Sequence, residues 1–286
     1  MKKDIPELRK QDVGGAELPY LFYAGGPRQL IFTHATGFLP WLWHPIIEKF
    51  VPEYSVWAPY ICNYRSCNPH EGGLGWNVVA EDLATFCRAQ KIENPLMVGH
   101  SMGATISAIA VGRYGLTPRA MILIEPIFLP EQFYEMTPNL NDHPLASKSI
   151  KRVNHWNSED EAMSYLKSRS FFSAWDPEIL QLYKQFGMEK MTEGDMRLTC
   201  TPESEAAMFM GGWCCNPWPL LKKIPCPVLA IEGEKSTNIG LVDIRRAVSM
   251  LPQGKYGSVA DAGHLIPMEK PAEIARIIKE YFSTID

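Results

Sequence analysis

The stretch PLMVGHSMGATISAIAVGRY, residues 95–114, decides how the chain is read. Five residues of strand character, PLMVG (95–99), run without a linker into His100-Ser101-Met102-Gly103, and a helical run of small and apolar residues, ATISAIAVGRY (104–114), begins at once. Gly99-His100-Ser101-Met102-Gly103 is a G-x-S-x-G pentapeptide. Alone it is a weak signal, and the bland alternative is a serine in an ordinary strand-to-helix turn. Between a strand and a helix, however, it describes a sharp turn with Ser101 at its apex, where the two glycines remove side chains that would collide. Most of the same stretch lies in a long run without Asp, Glu, Lys or Arg, Asn94–Gly112. Pro95, Gly99, His100, Ser101 and Gly103 break that run into strand plus helix, so no membrane span is predicted.

Working outward, apolar runs of strand length recur at QLIFT (29–33), YSVWAP (54–59), AMILI (120–124), PVLAIE (227–232) and YGSVA (256–260). They are continuous and not alternating, as strands covered on both faces require. Helical patterns lie between them. Val79, Leu83 and Phe86 share one face of Trp76–Gln90, and Ile274, Ile277, Ile278 and Tyr281 form a stripe after Pro271. Strands alternating with helices imply a mostly parallel sheet with right-handed crossovers. The segments around Leu18–Ala24 and Gln29–Thr33, joined by Gly25-Gly26-Pro27, read as an antiparallel hairpin. The alternation stops between Pro126 and about Pro219, a stretch with seven of the thirteen methionines and four of the eight tryptophans. It reads as several short helices forming a lid (126–218) inserted into a core made of 1–125 and 219–286.

With 286 residues, 46% hydrophobic and 21% charged, the chain has a globular composition and a length that sustains one sizeable core. Its formal net charge of −4 argues against nucleic acid or an anionic membrane as partner, since both need a basic patch. The partner expected is a small-molecule substrate, and nothing in the sequence speaks to oligomeric state. The N-terminus has lysines but no apolar run after them, so no secretory signal is read. The seven cysteines are odd in number, without a CxxC spacing, and read as reduced thiols in a cytoplasmic protein. HExxH is absent and the seven histidines are scattered, so neither metal nor cofactor is expected.

A serine hydroxyl needs a base to become a nucleophile. His264, in Asp261-Ala262-Gly263-His264, follows the last apolar strand and precedes the last helix. A loop at the carboxyl edge of the sheet would carry it back towards Ser101. Taken together, THATGF (33–38), NYRSCN (63–68), GHSMG (99–103), the insert and DAGH (261–264) resemble the α/β-hydrolase superfamily over nearly the whole chain. NYRSCN departs from the family's usual D-x-R-G-x-G, though Arg65 is kept. The resemblance implies an α/β-hydrolase fold with a lid, and the apex serine excludes the branches that use Asp there. It implies an oxyanion hole made by the backbone N–H groups of Thr36 and Met102, with His34 and His100 bracing loops.

The acid departs from the family pattern. The usual G-x-x-D after the seventh strand reads Gly233-Glu234-Lys235-Ser236 here, and serine cannot carry the charge. Glu125, ending the strand AMILI, stands where some dehalogenases place their acid, with Glu234, Asp243 or a dyad without acid as alternatives. The resulting expectation is a serine hydrolase that cleaves carboxylic esters of small to medium apolar substrates by a Ser-His-Glu triad through an acyl-enzyme. Phe38, Phe209 and Trp213 are the candidate substrate contacts. Rivals on the same scaffold are a C–C bond hydrolase of the meta-cleavage-product type, a perhydrolase or thioesterase, and a slow-turnover ligand receptor.

Overall fold

A computed structural model describes residues 5–137, 139–192 and 194–285. The continuous apolar runs become covered strands, as every residue of β5 (Leu96–His100) and β6 (Ala120–Ile124) is buried. Around these two lie β1 (Arg9–Asp12), β2 (Glu17–Tyr23), β3 (Arg28–Thr33), β4 (Tyr54–Pro59), β9 (Val228–Gly233) and β10 (Gly254–Val259). They form one sheet in the order β1-β2-β4-β3-β5-β6-β9-β10. All neighbours from β4 to β10 pair parallel, while β1 with β2 and β2 with β4 pair antiparallel. Helices α1 (Trp76–Ala89), α2 (Met102–Tyr114), α6 (Ile244–Met250) and α7 (Pro271–Ser283) supply the crossovers and flanking layers. In α7 the predicted stripe is the inner face, with Ile274 and Ile278 fully buried. Arg65, the residue kept in the atypical loop, holds buried Asp82 of α1 through Nε at 2.6 Å, which ties that loop to the helical layer.

The expected β2–β3 hairpin does not form: β4 lies between the two strands, paired Leu21 to Ala58 on one side and Ile31 to Trp57 on the other. The crossover from β3 sets β4 directly beside β3, which leaves β2 the outer position. Gly25 and Gly26 serve close approach and not a tight hairpin. Gly26 N–H donates to Val51 C=O at 3.2 Å, and a Cβ on either glycine would overlap the backbone at Val51, Glu53 or Tyr54.

Between β6 and β9 the chain makes α3 (Glu159–Ser168), α4 (Pro177–Phe186) and α5 (Pro202–Gly211) with shorter turns. It also makes an antiparallel pair, β7 (Met188–Lys190) and β8 (Met196–Leu198), where only helices were expected. Strands of three residues are too short to show a period of two. This stretch is bonded to the rest of the fold at several points. Leu74 N–H donates to Ala207 C=O at 2.9 Å, Trp76 Nε1–H to Met208 C=O at 2.8 Å, and Asp176 N–H to Met268 C=O at 2.8 Å. No helix among the described residues is long and apolar enough to cross a membrane.

The reading of all seven cysteines as reduced thiols is corrected at two of them. Cys62, after β4, and Cys200, before α5, form a disulfide across 138 residues with Cα atoms 5.8 Å apart. No sequence spacing could announce it, because the pair exists only once the insert has folded back. Reduction, or Cys62→Ser, is expected to lower stability by about 2–5 kcal/mol, since the cross-link closes a long loop of the unfolded chain. The urea midpoint with and without reductant measures this. An unchanged midpoint, with both thiols already titratable in the native protein, would show the pair to be open.

Candidate active site

The turn after β5 brings Ser101 to the carboxyl edge of the sheet. Its backbone adopts φ 54°, ψ −119°, a combination rare for a residue with a side chain, and its N–H donates to Ile124 C=O at 2.9 Å. The flanking glycines make the turn possible. A Cβ on Gly99 would lie 2.6 Å from Ala104 Cα, and one on Gly103 would overlap the carbonyl oxygens of Thr33 and His34. Thr33 Oγ1–H donates to Gly103 C=O at 2.9 Å, so the end of β3 is fastened to the same turn.

His264 follows β10 and reaches the turn from the neighbouring loop. Its Nε2 lies 3.1 Å from Ser101 Oγ and its Nδ1 lies 2.9 Å from Glu125 Oε2. Glu125 also has a left-handed backbone, φ 50°. Its carboxylate is 1% exposed and fully used: Oε1 accepts from Gly233 N–H at 2.6 Å, and Oε2 accepts from Ser236 Oγ–H at 2.7 Å as well as facing His264. The other carboxylates weighed for the same place lie elsewhere. Glu234 Oε2 accepts from Asp261 N–H at 3.1 Å, and Asp243 Oδ1 caps α6 by accepting from Arg246 N–H at 2.8 Å. Among the described residues no three metal-ligating side chains converge.

Two buried histidines brace the loops. His100 Nε2–H donates to His264 C=O at 2.9 Å, and His34 Nε2 accepts from Ile61 N–H at 2.9 Å while its Nδ1–H donates to Ala35 C=O at 2.8 Å. Burial pushes His34 down to about 4 and His100 down to about 3, so both are neutral near pH 7. Thr36 and Gly37 are the central residues of a turn closed by Phe38 N–H to Ala35 C=O at 3.1 Å. Gly37 sits at φ 75°, the sign a type II turn demands at that place. The Thr36 N–H has no acceptor among the described residues. Met102 is the first residue of α2, where backbone N–H groups lack intrahelical partners and the helix dipole is positive.

A model of the alpha/beta hydrolase family matches residues 30–277, a span that holds Ser101, Glu125 and His264. This chain belongs to the alpha/beta hydrolase family. The esterase YbfF of Escherichia coli is 23% identical over 221 residues, covering 76% of this chain and 78% of the relative. The 2-(acetamidomethylene)succinate hydrolase of Mesorhizobium japonicum is 21% identical over 277 residues, covering 96% of this chain and 94% of the relative. A crystal structure of E-2-(acetamidomethylene)succinate hydrolase superposes with a TM-score of 0.80 at 19% identity, over 97% of this chain and 99% of the other. Likeness at such identity establishes the fold and leaves the substrate to the site.

In this alpha/beta hydrolase the three residues named as substrate contacts fall into two clusters. Phe38 packs on Trp175 at 5.6 Å between ring centroids, with Phe171 and Tyr183 alongside. Trp213 packs on His143 at 4.7 Å and on Phe133 at 5.1 Å, with Phe209 also against His143. Sequence reasoning missed the insert's contact with the Thr36 turn. Glu205 of α5 lays its carboxylate on Gly37, where a Cβ would overlap it, and is held by Arg152 Nη1–H at 2.7 Å. Arg152 Nη2–H donates in turn to Tyr183 Oη at 2.9 Å. It also missed Asn238, and the bond from Ser236 to Glu125, whose only signal was that Ser236 stands at the last position of the G-x-x-D pattern.

Proposed function

We propose that this hydrolase cleaves carboxylic esters of small to medium apolar substrates through an acyl-enzyme. Ser101 is the nucleophile, His264 the general base and then acid, and Glu125 the carboxylate that orients the imidazole and balances the imidazolium. The observation that carries the reading is the unbroken line from Ser101 Oγ through both ring nitrogens of His264 to Glu125 Oε2, at 3.1 and 2.9 Å. Ser101 Oγ attacks the carbonyl carbon and its proton passes to His264 Nε2. The oxygen that gains the negative charge is held by the Thr36 and Met102 N–H groups. His264 returns the proton to the departing alcohol. Water, deprotonated by the same nitrogen, then releases the acid and restores Ser101. Residues 126–218 act as a lid whose aromatic rings face an apolar acyl or alcohol group.

Similarity to an esterase supports the ester reading, and the near-complete coverage by a 2-(acetamidomethylene)succinate hydrolase supports a second one, in which the acyl group leaves an amide-type nitrogen. A panel on purified protein decides between them: p-nitrophenyl acetate, butyrate and octanoate, 2-(acetamidomethylene)succinate, and a ring-cleavage dienoate. Steady turnover of the butyrate, at a rate above the other two classes, is the expected result. Turnover of the dienoate with none of the esters would replace the proposal by C–C bond hydrolysis, and one slow turnover of every compound would mark a receptor.

A further inference from the structure

The loop after β9 has lost its carboxylate but not its place beside His264. Ser236 occupies the position of the usual acid, and its Oγ–H donates to the same Glu125 oxygen that faces the imidazole. Two residues on, Asn238 N–H donates to Ser236 Oγ at 3.3 Å, and the Asn238 carbonyl accepts from Leu241 and Val242 N–H, both at 2.9 Å. These bonds hold the half-buried side-chain amide with its Nδ2 atom 2.9 Å from His264 Nδ1. That is also the distance from Nδ1 to Glu125 Oε2, so two polar groups converge on one ring nitrogen.

Proton arithmetic says which atom of the amide belongs there. If Nε2 is to take the Ser101 proton it must be bare, and the ring's single proton then sits on Nδ1. An amide NH2 facing that N–H would set donor against donor. Oxygen and nitrogen of the amide exchange places on a half turn about χ2, and their assignment follows from the partner. With oxygen inward, the Nδ1–H meets two acceptors. Resting on the chemistry proposed above, we infer that Asn238 presents its amide oxygen to His264 Nδ1 as a second acceptor beside Glu125. It is a positioning residue that holds the tautomer Ser101 requires.

The other titratable groups around the ring leave this role open. His100 packs at 5.3 Å between centroids and is used on the His264 carbonyl. Glu269 accepts from Gly263 N–H, and Lys235 pairs with Asp261 in solvent. Asn238→Leu is therefore expected to lower kcat on p-nitrophenyl butyrate about three- to tenfold with KM unchanged, the worth of one hydrogen bond. The acidic limb of its profile should move to lower pH, because the imidazolium has lost an acceptor.

The discriminating comparison is with Glu125→Gln. In that background Asn238→Leu should cost at least about tenfold more than it does in wild type, since contacting groups that share one role are not additive. Asn238→Asp should there raise kcat by at least about tenfold, by returning a carboxylate to Nδ1. The 15N shifts of the His264 ring read the tautomer without turnover, and Asn238→Leu should reduce the Nδ1–H form. Wild-type kcat with unchanged ring shifts in Asn238→Leu, or equal losses in both backgrounds, would overturn the inference. If Asn238→Leu does not fold, the similarly sized Asn238→Asp decides the matter in the Glu125→Gln background. If Ser101→Ala keeps its turnover the hydrolase chemistry fails instead, and the ring shifts still judge Asn238.

Discussion

Ser101→Ala is expected to lower kcat on a carboxylic ester by at least ~10³ while the protein stays folded, because the members of such a constellation act as a unit. The first half follows from the role proposed for Oγ: without it no acyl-enzyme forms, and only binding and the N–H donors remain. The second half follows from the local structure. The Ser101 side chain reaches His264 Nε2 at 3.1 Å, while the turn itself is held by backbone bonds, from Ser101 N–H to Ile124 C=O and from Thr105 N–H to Ser101 C=O. Alanine keeps those bonds and meets the same positive φ that serine tolerates. Thermal melts of the two proteins should therefore coincide within a few degrees, while a burst titration with a p-nitrophenyl ester disappears. Phenylmethylsulfonyl fluoride should add one sulfonyl group at Ser101 and none to the variant. Label on another serine, or full turnover by the variant, would remove the proposed nucleophile.

What the sequence disclosed was set by how local each cause is. The strand–turn–helix at Ser101 was legible because Gly99 and Gly103 answer to atoms within a few residues or to the adjoining strand end. The parallel strands were legible because burial on both faces leaves an unbroken apolar run, as in Ala120–Ile124. Gly25-Gly26 misled for the opposite reason: the glycines answer to Val51, Glu53 and Tyr54, and a pair of glycines looks the same whether it serves a hairpin or a close approach. Cys62 and Cys200 meet only through the fold of residues between β6 and β9, so an odd cysteine count without a CxxC spacing suggested free thiols. Phe38, Phe209 and Trp213 were grouped by chemistry alone. Their division between two clusters depends on how α4 and α5 are turned, which composition does not encode. Ser236 and Asn238 are ordinary polar loop residues until Glu125 and His264 are placed beside them.

Glu125→Gln is expected to reduce kcat by about 10²–10⁴, in line with the loss of the acid in comparable triads. The amide has the shape of the carboxylate, and Gly233 N–H at 2.6 Å favours its oxygen at the Oε1 place. That puts the NH2 group at the Oε2 place, towards Ser236 and His264. A donor facing Nδ1 favours the tautomer with its proton on Nε2, which then cannot accept from Ser101, and no carboxylate remains to balance the imidazolium. Glu234→Gln and Asp243→Asn should each cost less than about tenfold. Glu234 bonds a solvent-side loop, and asparagine caps a helix about as well as aspartate does at Asp243. The decisive variant combines Glu125→Gln with Ser236→Asp. Ser236 Oγ already touches the oxygen that faces His264, at 2.7 Å, so an aspartate there places a carboxylate at the same corner of the ring. Partial recovery of kcat, by at least about tenfold over Glu125→Gln, would show that the ends of β6 and β9 are two addresses for one charge. A nearly fully active Glu125→Gln beside an inactive Asp243→Asn would move the acid to the other loop and leave Ser101 and His264 with a different third partner.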